Sequence, residues 1–149
     1  MSPDTFYTYR RRLPHWRMTG ATYSVTWRLN FRQADLEPKE RSAVASALCH
    51  FDGQRYDLIS YVVMNDHVHV LAAPRDGFPL EAVVHSWKSF TAHSLQRVHG
   101  RRGALWQDES YDRIVRDETE LYRSICYIEN NPRKRWPSLK RYPWVWTRG

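Results

Sequence analysis

The sequence predicts an α+β fold in which helices pack on one antiparallel sheet, in the β-α-β-β-α-β order of the ferredoxin-like split βαβ arrangement. Stretches rich in β-branched and aromatic residues alternate along the chain with stretches of helical periodicity. No repeat, low-complexity tract or Pro/Gly-rich linker divides the 149 residues, of which 42% are hydrophobic. We therefore expect one domain over residues 1–149, with a core of its own.

The first half of the predicted order is a strand, a helix and two further strands. Residues 21–30 are rich in β-branched and aromatic residues and are expected to form a strand, and Pro38 fits the first turn of a helix that continues to Phe51. Residues 56–64 and 67–73 form two strands, joined by the polar turn Asn65-Asp66.

The second half adds a helix, a strand and a last helix. Residues 80–98 show helical periodicity that ends before Gly100, and a fourth strand is expected around residues 111–115. Asp117 is the predicted N-cap of the last helix, with Glu120 completing a capping box and Pro132 stopping the helix.

Both ends of the chain are basic, and the whole chain carries a net charge of +7. Arginines and lysines cluster in an N-terminal arm (about residues 1–20), at Arg101 and Arg102, and in an aromatic C-terminal tail (about 133–149). The whole chain has seven Trp and nine Tyr, and several of them lie beside the clusters at the ends, namely Trp16, Trp136, Tyr142, Trp144 and Trp146. Cations with interleaved aromatic rings suit single-stranded nucleic acid, although many proteins with other functions are equally basic.

Composition also excludes several classes of protein. No apolar run approaches the roughly 18 residues of a membrane span, and the N-terminus lacks the apolar stretch of a secretory signal, so we expect a cytoplasmic protein without a membrane partner. Cys49 and Cys126 are the only cysteines, too few for a disulfide framework, and we expect both to be buried on helices.

The run MNDHVHVLAAP places His67 and His69 two residues apart on a strand. Because strand side chains alternate, both rings point to one face and are close enough to share a divalent ion or a phosphate. Two polar residues on a solvated sheet face would show the same pattern, and for an isolated pair that interpretation is favoured.

A second pair of polar residues lies on the last helix, where Tyr127 and Asn131 are four apart and share a face. They flank the stripe expected to face the core, which consists of Leu121, Ser124, Ile125 and Ile128. A hydroxyl and an amide can overlook a site on the sheet from that position.

Together these segments resemble a known family. MNDHVHVLAAP is similar to the MPNHVHLLL signature of the single-tyrosine HUH transposases (IS200-like), and YIENNPRK to the YIxxNPVK segment that carries their nucleophile. RRRLPHW with ATYSVTWRL, and ALWQDESYDRIVRD, resemble blocks of the branch called REP-associated tyrosine transposases. The blocks follow in family order from about Tyr9 to Arg135.

The resemblance implies an enzyme that nicks single-stranded DNA beside a hairpin and attaches to its 5′ end through tyrosine. By position, Tyr127 would be the nucleophile, His67 and His69 ligands of Mg²⁺ or Mn²⁺, and Asn131 a further ligand. Relatives act as dimers or as monomers, so a monomer or a homodimer is expected. Further DNA contacts are assigned to basic side chains near these blocks, namely Arg10, Arg11, Arg12, Lys88, Arg133, Lys134 and Arg135.

Some alternatives remain open at this stage. Tyr111 and Tyr122 are rival nucleophiles, and Asp66, where the family has asparagine, would either bind metal or repel DNA. The chain would otherwise be a non-catalytic hairpin-binding module, a replication initiator or relaxase, or a hydrolase that uses water and leaves no adduct.

Overall fold

A computed structural model describes residues 20–149. The predicted N-terminal arm, with Arg10, Arg11 and Arg12, lies outside the described residues. The elements are five strands and three helices: β1 Tyr23–Leu29, α1 Pro38–His50, β2 Tyr56–Val63, β3 His67–Pro74, α2 Leu80–His99, β4 Trp106–Ile114, α3 Glu118–Arg135 and β5 Val145–Thr147.

The strands form one sheet in the order β4-β1-β3-β2-β5, with every neighbouring pair antiparallel. The first four strands have the arrangement expected of a split βαβ fold, so the predicted fold class is confirmed. β3, which carries both histidines, lies at the centre of the sheet and is paired along both edges.

Helices cover the two faces of the sheet unequally. The large aromatic core, where Trp27 stacks on Trp87, lies between one face and α1 with α2. The histidine face, which we define as the sheet face that carries His67 and His69, is covered by α3 through Leu121, Ile125 and Ile128. The predicted core stripe of the last helix is therefore confirmed, and on the other face Trp87 and Trp106 are buried in the aromatic core.

Two predicted boundaries are wrong. β4 begins at Trp106, five residues before the expected start, because Trp106 already pairs with Leu29 of β1. Pro132 does not stop the last helix, which continues to Arg135. The ring of Pro132 is buried, and Trp136 N–H donates to the carbonyl oxygen of Pro132 (2.8 Å), so tertiary packing offsets the usual cost of an interior proline.

The predicted tail also contains structure of its own. Val145–Thr147 form β5 on the free edge of β2, and Arg148 pairs with Asp52 (2.6 Å). Cys49 is exposed and Cys126 half-buried, so the expectation that both are buried was wrong. Among residues 20–149, no helix is long and apolar enough to cross a membrane.

One of the clustered arginines is structural. Arg101 forms two hydrogen bonds with the buried Glu40 carboxylate, at 2.6 and 2.7 Å, and also donates to the backbone oxygens of Ala34 and Asp35. These bonds lower the pKa of Glu40. Arg101 therefore ties the end of α2 to the loop before α1 and is not free to contact a phosphate.

Candidate active site

The register of the sheet places the two histidines beside a row of polar residues. Arg28 of β1 lies opposite His67, and Thr26 lies opposite His69. Residues directly opposite each other in an antiparallel pair point to the same face. The part of the histidine face that lies on β1 therefore carries polar side chains, whereas the part under α3 is apolar.

His67 is held on both sides of its ring. Nδ1 lies 2.8 Å from Asp66 Oδ1, and Nε2 lies 3.2 Å from Asn131 Nδ2 on α3. The second of these contacts brings the first histidine of the pair and the amide of the last helix together, although they are 64 residues apart in sequence.

His69 is almost fully buried at the edge of α3. A hydrogen bond joins its Nε2 to Ser24 Oγ (2.7 Å), whereas Nδ1 has no partner among the described residues. Burial, and to a lesser degree the neighbouring His67, lower the pKa of His69 to about 4. The ring is therefore neutral near pH 7, which is the form that can bind a metal ion.

Tyr127 stands over this pair. α3 begins at the predicted N-cap, where Glu120 N–H donates to Asp117 Oδ1 (2.8 Å). The predicted capping box is not completed, because the Glu120 carboxylate accepts from Arg116 N–H and not from the N–H of the N-cap. Two and a half turns further on, the Tyr127 ring packs edge-on against His69 with centroids 5.4 Å apart. The Tyr127 side chain is 52% exposed, so the site is open to a large substrate.

The rival tyrosines lie elsewhere. Tyr122 is buried in the helix packing, on another side of α3. Tyr111 is 60% exposed on β4, opposite Thr26, and donates its hydroxyl hydrogen to Glu109 (2.9 Å). Of these three tyrosines, Tyr127 is the one that combines exposure with a direct ring contact to the histidine pair.

The expected DNA-binding cations differ in their surroundings. Lys134 Nζ lies 5.0 Å from the centroid of the Tyr127 ring, and Arg133 and Arg135 are exposed on the same last turns of α3. Lys88 donates to the carbonyl oxygens of Gln107 and Asp108 and to Ser110 Oγ. All three ammonium hydrogens of Lys88 thus link α2 to β4, and a phosphate contact would have to replace one of these bonds.

Sequence reasoning missed Ser24 and Arg28. The segment from Ser24 to Leu29 alternates strictly between polar and apolar residues. That alternation indicates a strand with one polar face, and it would have identified both residues as neighbours of the histidine face.

The residues at this site fit a divalent ion that takes nitrogen and amide ligands. His69 Nδ1 is a buried ring nitrogen without a partner, and His67 Nε2 faces Asn131. Among residues 20–149, no group of three or more His, Cys, Asp or Glu side chains comes together as a ligand set. The two imidazoles and the Asn131 amide are donors that the described residues bring together here, a set that suits Mn²⁺ at least as well as Mg²⁺.

The comparisons with known proteins define the class. A family model described as IS200-like transposase matches residues 17–131. With this match over most of its length, the chain is a transposase by family, a class of DNA-processing enzyme. It belongs to the IS200-like transposase family.

Solved structures show the same fold. The chain is similar to a REP-associated tyrosine transposase bound to a REP hairpin, with a TM-score of 0.70 and 19% identity over 89% of this chain and 79% of that one. It is also similar to a protein assigned as a transposase from Deinococcus radiodurans R1, with a TM-score of 0.58 and 20% identity over 78% of this chain and 95% of that one. No curated protein sequence matches the chain.

Proposed function

We propose that this chain nicks single-stranded DNA beside a hairpin and joins its 5′ end to Tyr127. The observation that carries the proposal is the meeting of three elements: Tyr127 contacts His69 across 5.4 Å between ring centroids, and Asn131, one turn later on the same helix, contacts His67. The family membership supports the reaction class, and the hairpin bound by the similar structure supports the substrate.

In the proposed step, Tyr127 Oη attacks the scissile phosphorus as its proton passes to solvent. The new bond is a 5′-phosphotyrosine, and the bond from phosphorus to the 3′ oxygen breaks, so that the leaving strand takes up a proton and ends in a 3′-OH. A bound divalent ion would offset the negative charge that develops on the phosphate oxygens. His67, His69 and Asn131 are the residues that would hold it.

The covalent intermediate keeps the energy of the broken bond. A 3′-OH can attack the phosphotyrosine, release Tyr127 and rejoin two strands without ATP. This reversibility distinguishes the proposal from a hydrolase that uses water, which would release both ends of the cut.

The shape of the histidine face supports a route for the DNA. Among residues 20–149, α3 packs chiefly on β2, β3 and β5, and these residues leave side chains on the β1–β4 half of this face exposed. Arg28 and Arg113 are exposed there beside Tyr111, which gives cations for phosphates and a ring for a base. Lys134 stands at the other side of Tyr127. Such a substrate is met in the cytoplasm, where we expect the protein to act.

The test is a covalent-adduct assay with labelled DNA hairpins that carry single-stranded flanks, taken from repeats beside the gene, with Mn²⁺ or Mg²⁺. Denaturing electrophoresis should show an adduct with the wild type and none with Tyr127→Phe or His67→Ala. Tyr111→Phe is the matched control, because Tyr111 is similarly exposed on the histidine face, and it should still form the adduct.

Two outcomes would contradict the proposal. Tight hairpin binding without an adduct in either metal would leave a non-catalytic binding module. An adduct that persists in Tyr127→Phe and disappears in Tyr111→Phe would transfer the nucleophile to β4.

A further inference from the structure

The two nitrogens of the His67 ring have neighbours of opposite character. Asp66 Oδ1, 2.8 Å from Nδ1, belongs to a carboxylate, which only accepts hydrogen bonds when ionised. Asn131 Nδ2, 3.2 Å from Nε2, belongs to an amide NH₂ group, which only donates. Both neighbours therefore require the same tautomer, with the hydrogen on Nδ1 and the lone pair on Nε2.

The turn that carries Asp66 is held by hydrogen bonds on both sides, which keeps Asp66 next to His67 Nδ1. Leu29 N–H donates to the Asp66 carbonyl oxygen (2.8 Å), and Leu36 N–H donates to the Asn65 carbonyl oxygen (2.7 Å). The buried Asn65 side chain donates in turn to Asp35 (2.9 Å). The Asn65-Asp66 pair thus forms an anchored turn between β2 and β3, which holds the backbone that carries the carboxylate beside the ring.

The position of Asp66 also argues against the expectation that it binds the metal directly. Its oxygen lies at Nδ1, so it does not share the Nε2 side of the ring, where Asn131 stands. A carboxylate that accepts from the far nitrogen of a metal-binding histidine orients the ring and makes the other nitrogen a stronger ligand. Its contact with His67 is the one expected of a residue that acts through the ligand.

We propose that Asp66 is a positioning residue that keeps a lone pair, and not a hydrogen, on Nε2 of His67, where a divalent cation can take the place of the Asn131 contact. The inference rests on the proposed function for the use of that cation, but the state of the ring is a property of the metal-free protein. Asp66→Ala removes the acceptor, whereas Asp66→Asn leaves an amide oxygen that can still accept from Nδ1–H. The two variants therefore separate the hydrogen bond from the charge.

The first measurement is the ¹H–¹⁵N correlation spectrum of the histidine rings without metal or DNA, at about pH 8.5, where an ordinary imidazole with a pKa near 6.5 is neutral. We expect the Nδ1–H form of His67 in the wild type and in Asp66→Asn. In Asp66→Ala the Asn131 amide can rotate and present its oxygen to Nε2–H, so the ring should shift to the Nε2–H form. His67→Ala assigns the signal. His93, exposed on α2 across the sheet, is the control ring and should not change.

The second measurement is the affinity for Mn²⁺ alone, followed by electron paramagnetic resonance. The dissociation constant should rise about 10- to 100-fold in Asp66→Ala and less in Asp66→Asn. An Nε2–H ring in the wild type would overturn the inference, and so would an Asp66→Ala ring that keeps the wild-type tautomer, whatever happens to Mn²⁺ binding.

These results are independent of the adduct assay. A wild-type Nδ1–H ring that responds to Asp66→Ala, in a protein that forms no DNA adduct, would retain the positioning role and reject the nuclease. If the wild type forms the adduct but the tautomer of His67 is the same in the wild type and in Asp66→Ala, the nuclease is retained and the positioning role of Asp66 is rejected.

Discussion

Replacing Arg101 by alanine should destabilise the fold far more than replacing its neighbour Arg102. The Arg101 and Glu40 side chains are only 11% and 5% exposed, and the guanidinium also donates to two backbone oxygens. Removing one partner of a buried ion pair leaves the other charge without compensation, which costs about 3–5 kcal/mol in the free energy of unfolding. That is a large share of the roughly 5–15 kcal/mol by which domains are stable.

Urea denaturation followed by circular dichroism measures this difference directly. Arg102→Ala, an exposed arginine one residue away, is the matched control and should change the free energy of unfolding by less than about 0.5 kcal/mol. Equal, small losses for the two variants would refute the reasoning, because they would mean that Arg101 is solvated like a surface cation.

The same pair gives a pH dependence. The hydrogen bonds from Arg101 lower the pKa of Glu40 below the ordinary glutamate value of 4.5, so the unfolded chain binds that proton first as the pH falls. The stabilisation is complete above about pH 4.5 and is lost as the pH falls through the lower, folded-state pKa. Acid titration of the wild type against Glu40→Gln should show this loss in the wild type alone.

Three further predictions concern the site and the C-terminal strand. The Lys134 ammonium, 5.0 Å from the centroid of the Tyr127 ring, can offset the negative charge that develops on the phenol oxygen and the phosphate during the attack. Loss of about 1 kcal/mol of that stabilisation in Lys134→Gln should slow adduct formation about fivefold, whereas Arg133→Gln should affect the rate less; equal rates in gel assays would exclude this role of Lys134. Because burial lowers the pKa of His69 to about 4, the metal-free protein should lose up to about 3 kcal/mol of stability as the pH falls from 6.5 to 4. Thermal melts at different pH values measure this loss, which should be smaller in His69→Asn. Deleting residues 145–149 removes β5 and bares the β2 edge, so light scattering should show aggregation that the full chain lacks.

The parts of the fold that local pattern determines were predictable. Alternation identified β3 with its two histidines, and the Asp117 cap identified the start of α3, because both signals lie within a few residues. The prediction that Pro132 ends the last helix was wrong because the free-energy cost of a proline inside a helix is offset by the burial of its ring. The sequence does not show that burial. β5 has three residues and pairs across about 85 positions of sequence, so no local signal marks it.

The candidate site divides in the same way. The histidine pair, Tyr127 and Asn131 were predicted, and the structure brings them together. Ser24 and the orientation of Asp66 were not predicted, because each depends on which ring nitrogen a side chain meets in three dimensions. The sequence predicted Arg101 only as part of a basic cluster, since its partner Glu40 is 61 residues away.

Tyr127 and Asn131 share one helix, four residues apart, with consequences for how the site is aligned. Four residues span about 6 Å of helix axis, so a sliding or tilting of α3 displaces the phenol and the amide as one body. The 3.2 Å contact between Asn131 and His67 therefore forms only when α3, and with it the Tyr127 phenol, is correctly positioned on the central strand. A helix that is out of place loses the phenol and the amide contact together, so the proposed cutting would be confined to the state in which all three elements are in contact.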